Sequence, residues 1–150
     1  MLMTGSHHID AERAFTRESR ARRRAALARR LRREPDVCGR LEVYDEGGVR
    51  RTRSSAGVRV REIPLDAIRG TLEPSRAAMF DAAFRPAGVA RRRWQSVWLA
   101  ETRGAVLPPI SVMRVGDAYM VRDGHHRVSV ARARGALTID AAIDGVAAGL

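Results

Sequence analysis

Residues Ala118 to Ala131 read Ala-Tyr-Met-Val-Arg-Asp-Gly-His-His-Arg-Val-Ser-Val-Ala, and this stretch decides the fold. Its first part, Ala118 to Arg122, reads as a strand joined by a Gly116-Asp117 hairpin turn to a preceding strand, Pro109 to Val115. Pro108-Pro109 opens that earlier strand, a place where a missing N–H is tolerated. Its last part begins a helix from about His126 to Arg134, with Val128, Val130 and Ala131 apolar and Gly135 as the stop. A strand running through Asp-Gly straight into a helix predicts an α/β unit of the α+β type.

The chemistry follows from the same residues. The first turn of a helix carries backbone N–H groups without intrahelical acceptors, and the helix dipole favours negative charge there. Gly124 permits a conformation and a close ligand approach that a Cβ would obstruct. His125, His126 and Arg127 add side-chain donors, and a guanidinium can grip phosphate oxygens two at a time. Asp123 suits two roles, capping the helix or holding a divalent cation shared with phosphates. Ser129 lies on the following helix and reads as structural. Adjacent histidines without supporting ligands make a poor metal site.

Working outward, Leu137 to Ile143 reads as a final strand. Upstream, Arg91 to Thr102 is a helix with Trp94, Val97, Trp98 and Glu101 on one side, ending at Gly104; its paired tryptophans read as core. Glu73-Pro74-Ser75-Arg76 is a turn leading to a brief helix with Ala77, Met79 and Phe80. Val58 to Ile63 alternates with period two and ends at Pro64, and Pro64 to Ile68 reads as a short helical turn.

The first third differs. From Ala11 to Arg33 there is no Gly or Pro and much Ala, Leu and Arg, which predicts a helix stopped by Glu34-Pro35-Asp36. Ala14, Phe15, Ala21, Ala25, Ala28 and Leu31 give it only a thin apolar stripe. Two readings stay open: a solvated arm, or a helix laid on nucleic acid through Arg22, Arg23, Arg24, Arg29 and Arg30. The thin face also offers a surface for a second copy of the chain, as a homodimer. Leu41 to Tyr44 is a strand or a docking segment. Glu46-Gly47-Gly48 and Ser54-Ser55-Ala56-Gly57 read as turn and linker, which divides the chain into a basic helical extension, 1–56, and an α/β domain, 57–150.

The 150 residues carry a formal charge of +11, and all 28 basic residues are Arg. Such a balance points toward nucleic acid, but an all-Arg, Ala-rich usage also follows from GC-rich codons. Cys38 is the sole cysteine, so no intrachain disulfide forms. No apolar run approaches a membrane span and no secretory signal is visible, which leads us to expect a cytoplasmic protein. His7-His8 falls in what reads as an unstructured terminus.

From Val58 to Ile143 the sequence resembles the ParB N-terminal domain and its relatives in the ParB/sulfiredoxin superfamily. The resemblance rests on the Val60-Arg61-Glu62-Ile63-Pro64-Leu65 opening, Pro74-Ser75-Arg76, Leu107-Pro108-Pro109-Ile110, the Gly-Asp hairpin and Asp123-Gly124-His125-His126-Arg127, in that order. It implies a small α/β domain of short strands and helices that binds a nucleotide (CTP, ATP or ADP) with Mg²⁺. Gly124, His125, His126, Arg127 and Arg76 would contact the phosphates. In partition ParB proteins the corresponding turn is Gly-Glu-Arg-Arg; free-serine kinases of the superfamily have a turn similar to Asp-Gly-His-Thr-Arg, which Asp123, Gly124, His125 and Arg127 match more closely. In those kinases the Asp is catalytic and an upstream Glu assists, a place for which Glu62 and Glu73 are the candidates. Sulfiredoxins carry a Cys in this turn, and this chain does not.

Three functions are therefore expected to compete. The first is a ParB-like nucleotide-binding module, a weak NTPase switch with nucleic-acid contacts. The second is a small-molecule kinase with Asp123 as its catalytic and metal-holding residue. The third is a DNA-binding protein that uses the N-terminal Arg helix.

Overall fold

The structure is a computed structural model that describes residues 3–46 and 58–147. As the sequence leads one to expect, it is mixed α/β, with three α-helices and a six-stranded mixed sheet among the described residues. The order along the chain is α1 (Met3–Leu31), β1 (Glu42–Val43), β2 (Arg59–Pro64), β3 (Ile68–Thr71), α2 (Arg91–Thr102), β4 (Ile110–Val115), β5 (Ala118–Asp123), α3 (His125–Ala133) and β6 (Thr138–Ala147). Across the sheet the strands run β1-β3-β5-β4-β6-β2. The linker expected around Ala56 lies outside the described residues.

The hairpin forms as read: Val115 faces Ala118 across the Gly116-Asp117 turn. Its ladder has one irregularity, which places the site. Val112 faces Val121, but Ser111 faces Asp123, so Arg122 is the extra residue of a bulge. The bulged Arg122 turns aside to ion pairs with Asp144 at 2.5 Å and Glu46 at 2.7 Å. Asp123 is thereby re-aimed at the end of the strand, immediately before α3.

Several elements differ from the sequence reading. Helix α1 begins at Met3, so His7 and His8 belong to a helix and not to an unstructured terminus. Its apolar stripe is thin but docked: Ala11, Ala14 and Phe15 are buried, and the Phe15 ring meets Trp94 edge-on at 5.6 Å. The solvated-arm reading is therefore corrected: besides this ring contact, Arg17 donates to the Ala133 carbonyl and Arg85 to the Ala21 carbonyl, so the helix is seated on the α/β body. Pro64 to Ile68 does turn, as a short 3-10 segment, but the chain then forms β3, a parallel neighbour of β5. Gly70 makes this possible, since a Cβ there would strike the backbone carbonyl of Glu42 on β1. Residues after Arg76 form turns and an isolated Phe80–Pro86 bridge in place of a brief helix. β6 continues to Ala147, pairing with β2 on one side and β4 on the other.

The core lies between sheet and helices. Trp94, Phe15, Phe80, Phe84, Ile63, Ile68, Ile110, Val112, Val121, Val128 and Val130 are among its fully buried members. Trp94 stacks on Trp98 at 5.5 Å and donates its indole N–H to the Ser129 hydroxyl at 2.8 Å. Both the core assignment of the tryptophans and the structural reading of Ser129 hold.

Candidate functional site at the head of helix α3

Gly124 sits at the N-cap of α3 with φ 106° and ψ 23°. That left-handed conformation is costly for a residue with a Cβ, and a Cβ would also come within 2.5 Å of Ile110 Cγ2. The glycine is thus required twice, by backbone angle and by space. No side chain caps the helix, and its first internal bond is from Val128 N–H to the Gly124 carbonyl. The amides of His125, His126 and Arg127 therefore have no partner within the helix.

The two histidines do not present their side chains at the surface of the turn. His125 is 3% exposed and His126 is 6% exposed. His125 Nε2 lies 2.6 Å from the buried Thr71 hydroxyl, and Phe80 lies parallel to its ring. His126 meets the same Phe80 edge-on at 5.2 Å. Burial, followed by the Arg76 charge, brings both imidazoles down to about 4, with Asp123 acting in the opposite direction. Both are neutral at physiological pH. What they offer a ligand at the turn is backbone, and the Nε2 of His126 is buried without a hydrogen-bond partner among the described residues.

Arg127 folds back, donating to the Pro108 carbonyl and pairing with Asp123 Oδ2 at 3.3 Å. The Asp123 side chain is 77% exposed. Arg76 stands near both imidazoles, and Arg93, from the first turn of α2, depresses His126 as well. Sequence reasoning missed Arg93, one of three consecutive arginines at 91–93 with nothing local to single it out. Of the two upstream carboxylates, Glu62 lies on the far edge strand β2, hydrogen-bonded to Thr138. Glu73 follows β3, whose Thr71 pairs with Val121, and so emerges at the same sheet end as Asp123. A cavity of about 260 Å³ adjoins Arg127, walled by Leu107, Pro108, Ile110 and Ile139 with Glu101 and Asp140.

Among the described residues, no three His, Cys, Asp or Glu side chains gather as a metal site. The turn's own carboxylate, Asp123, is exposed and paired with Arg127. Of the helix arginines expected to touch nucleic acid, Arg23, Arg24 and Arg30 are exposed. Arg22 is half-buried, and Arg29 lies across Gly39. No described helix is long and apolar enough to cross a membrane.

Fold and site together define a mixed α/β protein whose glycine-led helix head lies close to two guanidiniums. No protein-family model matches the chain, and no curated protein matches it. Among solved structures, sulfiredoxin from Arabidopsis thaliana is similar, with a TM-score of 0.44 and 22% identity over 59% of this chain and 88% of that one.

Proposed function

We propose that the protein binds a nucleotide through its phosphates at the head of α3. One observation carries this reading: a left-handed Gly124 opens a helix whose first three amides have no cap, close to Arg76 and Arg93. Oriented amides, the positive end of the helix dipole and nearby cations are the parts an anion site requires. The phosphates would meet the amides of His125, His126 and Arg127, with Arg76 and Arg93 above them. Asp123 would hold Mg²⁺ carried in by the nucleotide, releasing Arg127 from its ion pair. The cavity beside Arg127, walled by apolar side chains together with Glu101 and Asp140, is of a size for a base.

Backbone amide shifts of the full-length protein test this. On addition of CTP, ATP or ADP with Mg²⁺, the amides of His125, His126 and Arg127 are expected to move downfield in a saturable way. If these three stay fixed while other amides move, the phosphates are held elsewhere.

A second reading is favoured by Glu73, which brings another carboxylate to the sheet end that holds Asp123. In that case the bound nucleotide is a phosphate donor. The oxygen of an acceptor hydroxyl attacks the γ-phosphorus, the bond to the β–γ bridging oxygen breaks, and Asp123 takes the hydroxyl proton. Nucleoside diphosphate and a phosphorylated acceptor would then appear together, and Asp123→Asn would abolish both. A nucleic-acid role for α1 would rest on Arg23, Arg24 and Arg30, and would show as DNA binding that weakens steeply with salt.

A further inference from the structure

The other end of α3 faces a separate groove of about 640 Å³, within the range of small-molecule sites. It opens beside the start of β3, roughly 10 Å along the helix from the Gly124 turn at the standard rise per residue. Three guanidiniums line it: Arg40 ahead of β1, Arg69 on β3 and Arg132 in the last turn of α3. Two carboxylates share it, Glu42 on β1 and Asp66 between β2 and β3.

Two features separate this groove from an ordinary solvated surface. The first is Arg132. Its guanidinium donates to the carbonyls of Leu65 and Ile68 and lies over the Phe84 ring at 5.5 Å. Its Nε is buried with no acceptor among the described residues. The two backbone contacts and the ring hold this guanidinium fixed in the groove wall. The second is the turn from Asp81 to Phe84, whose Ala82 and Ala83 line the groove. Phe84 is fully buried yet has φ 58°, and the buried Asp81 carboxylate fixes the turn through the amides of Ala83 and Arg85 at 3.0 and 2.8 Å. Strain of this kind in a non-glycine residue persists where the surroundings over-determine it, and it clusters at ligand sites.

The charges select the ligand. Three cations against two carboxylates leave the lining only weakly positive, which suits one carboxylate and not a polyphosphate. Among the described residues Arg40 and Arg69 have no side-chain hydrogen bond or ion pair, while the Asp66 charge acts on Arg132. We propose that this groove is a second ligand site, taking a small carboxylate that also carries a hydrogen-bond donor, an amino acid or a hydroxy acid. The carboxylate meets the Arg40, Arg69 and Arg132 guanidiniums; the ammonium or hydroxyl meets Glu42 and Asp66.

Arginine Nε–H resonances of the full-length protein report on this directly. Glycine, lactate, acetate and inorganic phosphate are the probes. Glycine or lactate should move the Arg132 Nε–H saturably, with acetate binding at least tenfold more weakly for want of the donor. Binding of glycine alone assigns an ammonium to the Asp66 side and should be lost in Asp66→Asn; binding of lactate alone assigns a hydroxyl. Arg69→Gln, at an exposed position, should weaken either at least fivefold. The proposal is overturned if neither moves Arg132, if Arg69→Gln leaves the response intact, or if phosphate produces the same shifts.

Discussion

His125 Nε2 lies 2.6 Å from the hydroxyl of Thr71, across 54 residues of chain, with both groups buried. The same hydroxyl accepts from the Glu73 amide at 2.9 Å, so one contact ties the head of α3 to the end of β3. Thr71→Val keeps the shape and removes the hydroxyl. It should cost about 1–3 kcal/mol, the usual penalty for a buried polar atom left unpaired. Denaturant unfolding of the variant measures it; a change within error would mean that the contact is dispensable.

Both buried imidazoles have folded-state pKa values depressed to about 4, chiefly by burial. The unfolded chain therefore takes up protons first as pH falls, near the ordinary histidine value of about 6.5. Their contribution to stability is complete above that value and is lost as pH drops toward 4. Melting temperature should decline over this window. His126→Leu, which removes an unpartnered buried nitrogen, should flatten the decline relative to wild type. An equal slope in the two proteins would contradict the assignment.

Gly124→Ala places a Cβ against Ile110 in a left-handed backbone. The conformation alone costs about 1–2 kcal/mol, and the clash adds to it. The variant should melt lower and bind nucleotide poorly, whereas Gly135→Ala, also left-handed at φ 76° but with nothing within 4 Å of its Cβ position, should lose only the conformational part and be silent in binding. Thermal melts of the pair make the comparison.

Phe15 is fully buried against Trp94, with the Arg91 guanidinium 4.8 Å from its ring centre. Phe15→Ala should destabilise the protein by about 3–5 kcal/mol, the range for a large buried aromatic. A loss confined to α1 helicity, with the α/β body unmoved, would show instead that the helix is an appendage.

How much of this was legible depends on the range of the determining contact. The β4–turn–β5–α3 run was readable because strand alternation, a two-residue Gly-Asp turn and Asp-Gly ahead of a helix are all local signals. β3 was not, because Ile68-Arg69-Gly70-Thr71 is four residues long with a glycine inside, and its place depends on Gly70 meeting the Glu42 carbonyl. The inward turn of His125 and His126 was hidden for a related reason: their burial is set by Thr71 and Phe80, far away in sequence. Arg93 comes to the site through the packing of α2 against α3, which no local pattern announces. The docking of α1 rests on Phe15 and on carbonyl contacts far away in sequence, signals too small to separate from a charged helix.

The central claim concerns what the head of α3 holds, and calorimetric titration with CTP, ATP and ADP in the presence of Mg²⁺ tests it most directly. At least one nucleotide should bind, and Arg93→Ala or Arg76→Ala should each weaken it about tenfold or more, the effect of one charge-assisted contact of about 1.5–3 kcal/mol. No heat with any of the three nucleotides, or an affinity in both arginine variants unchanged from that of the parent protein, would contradict the account.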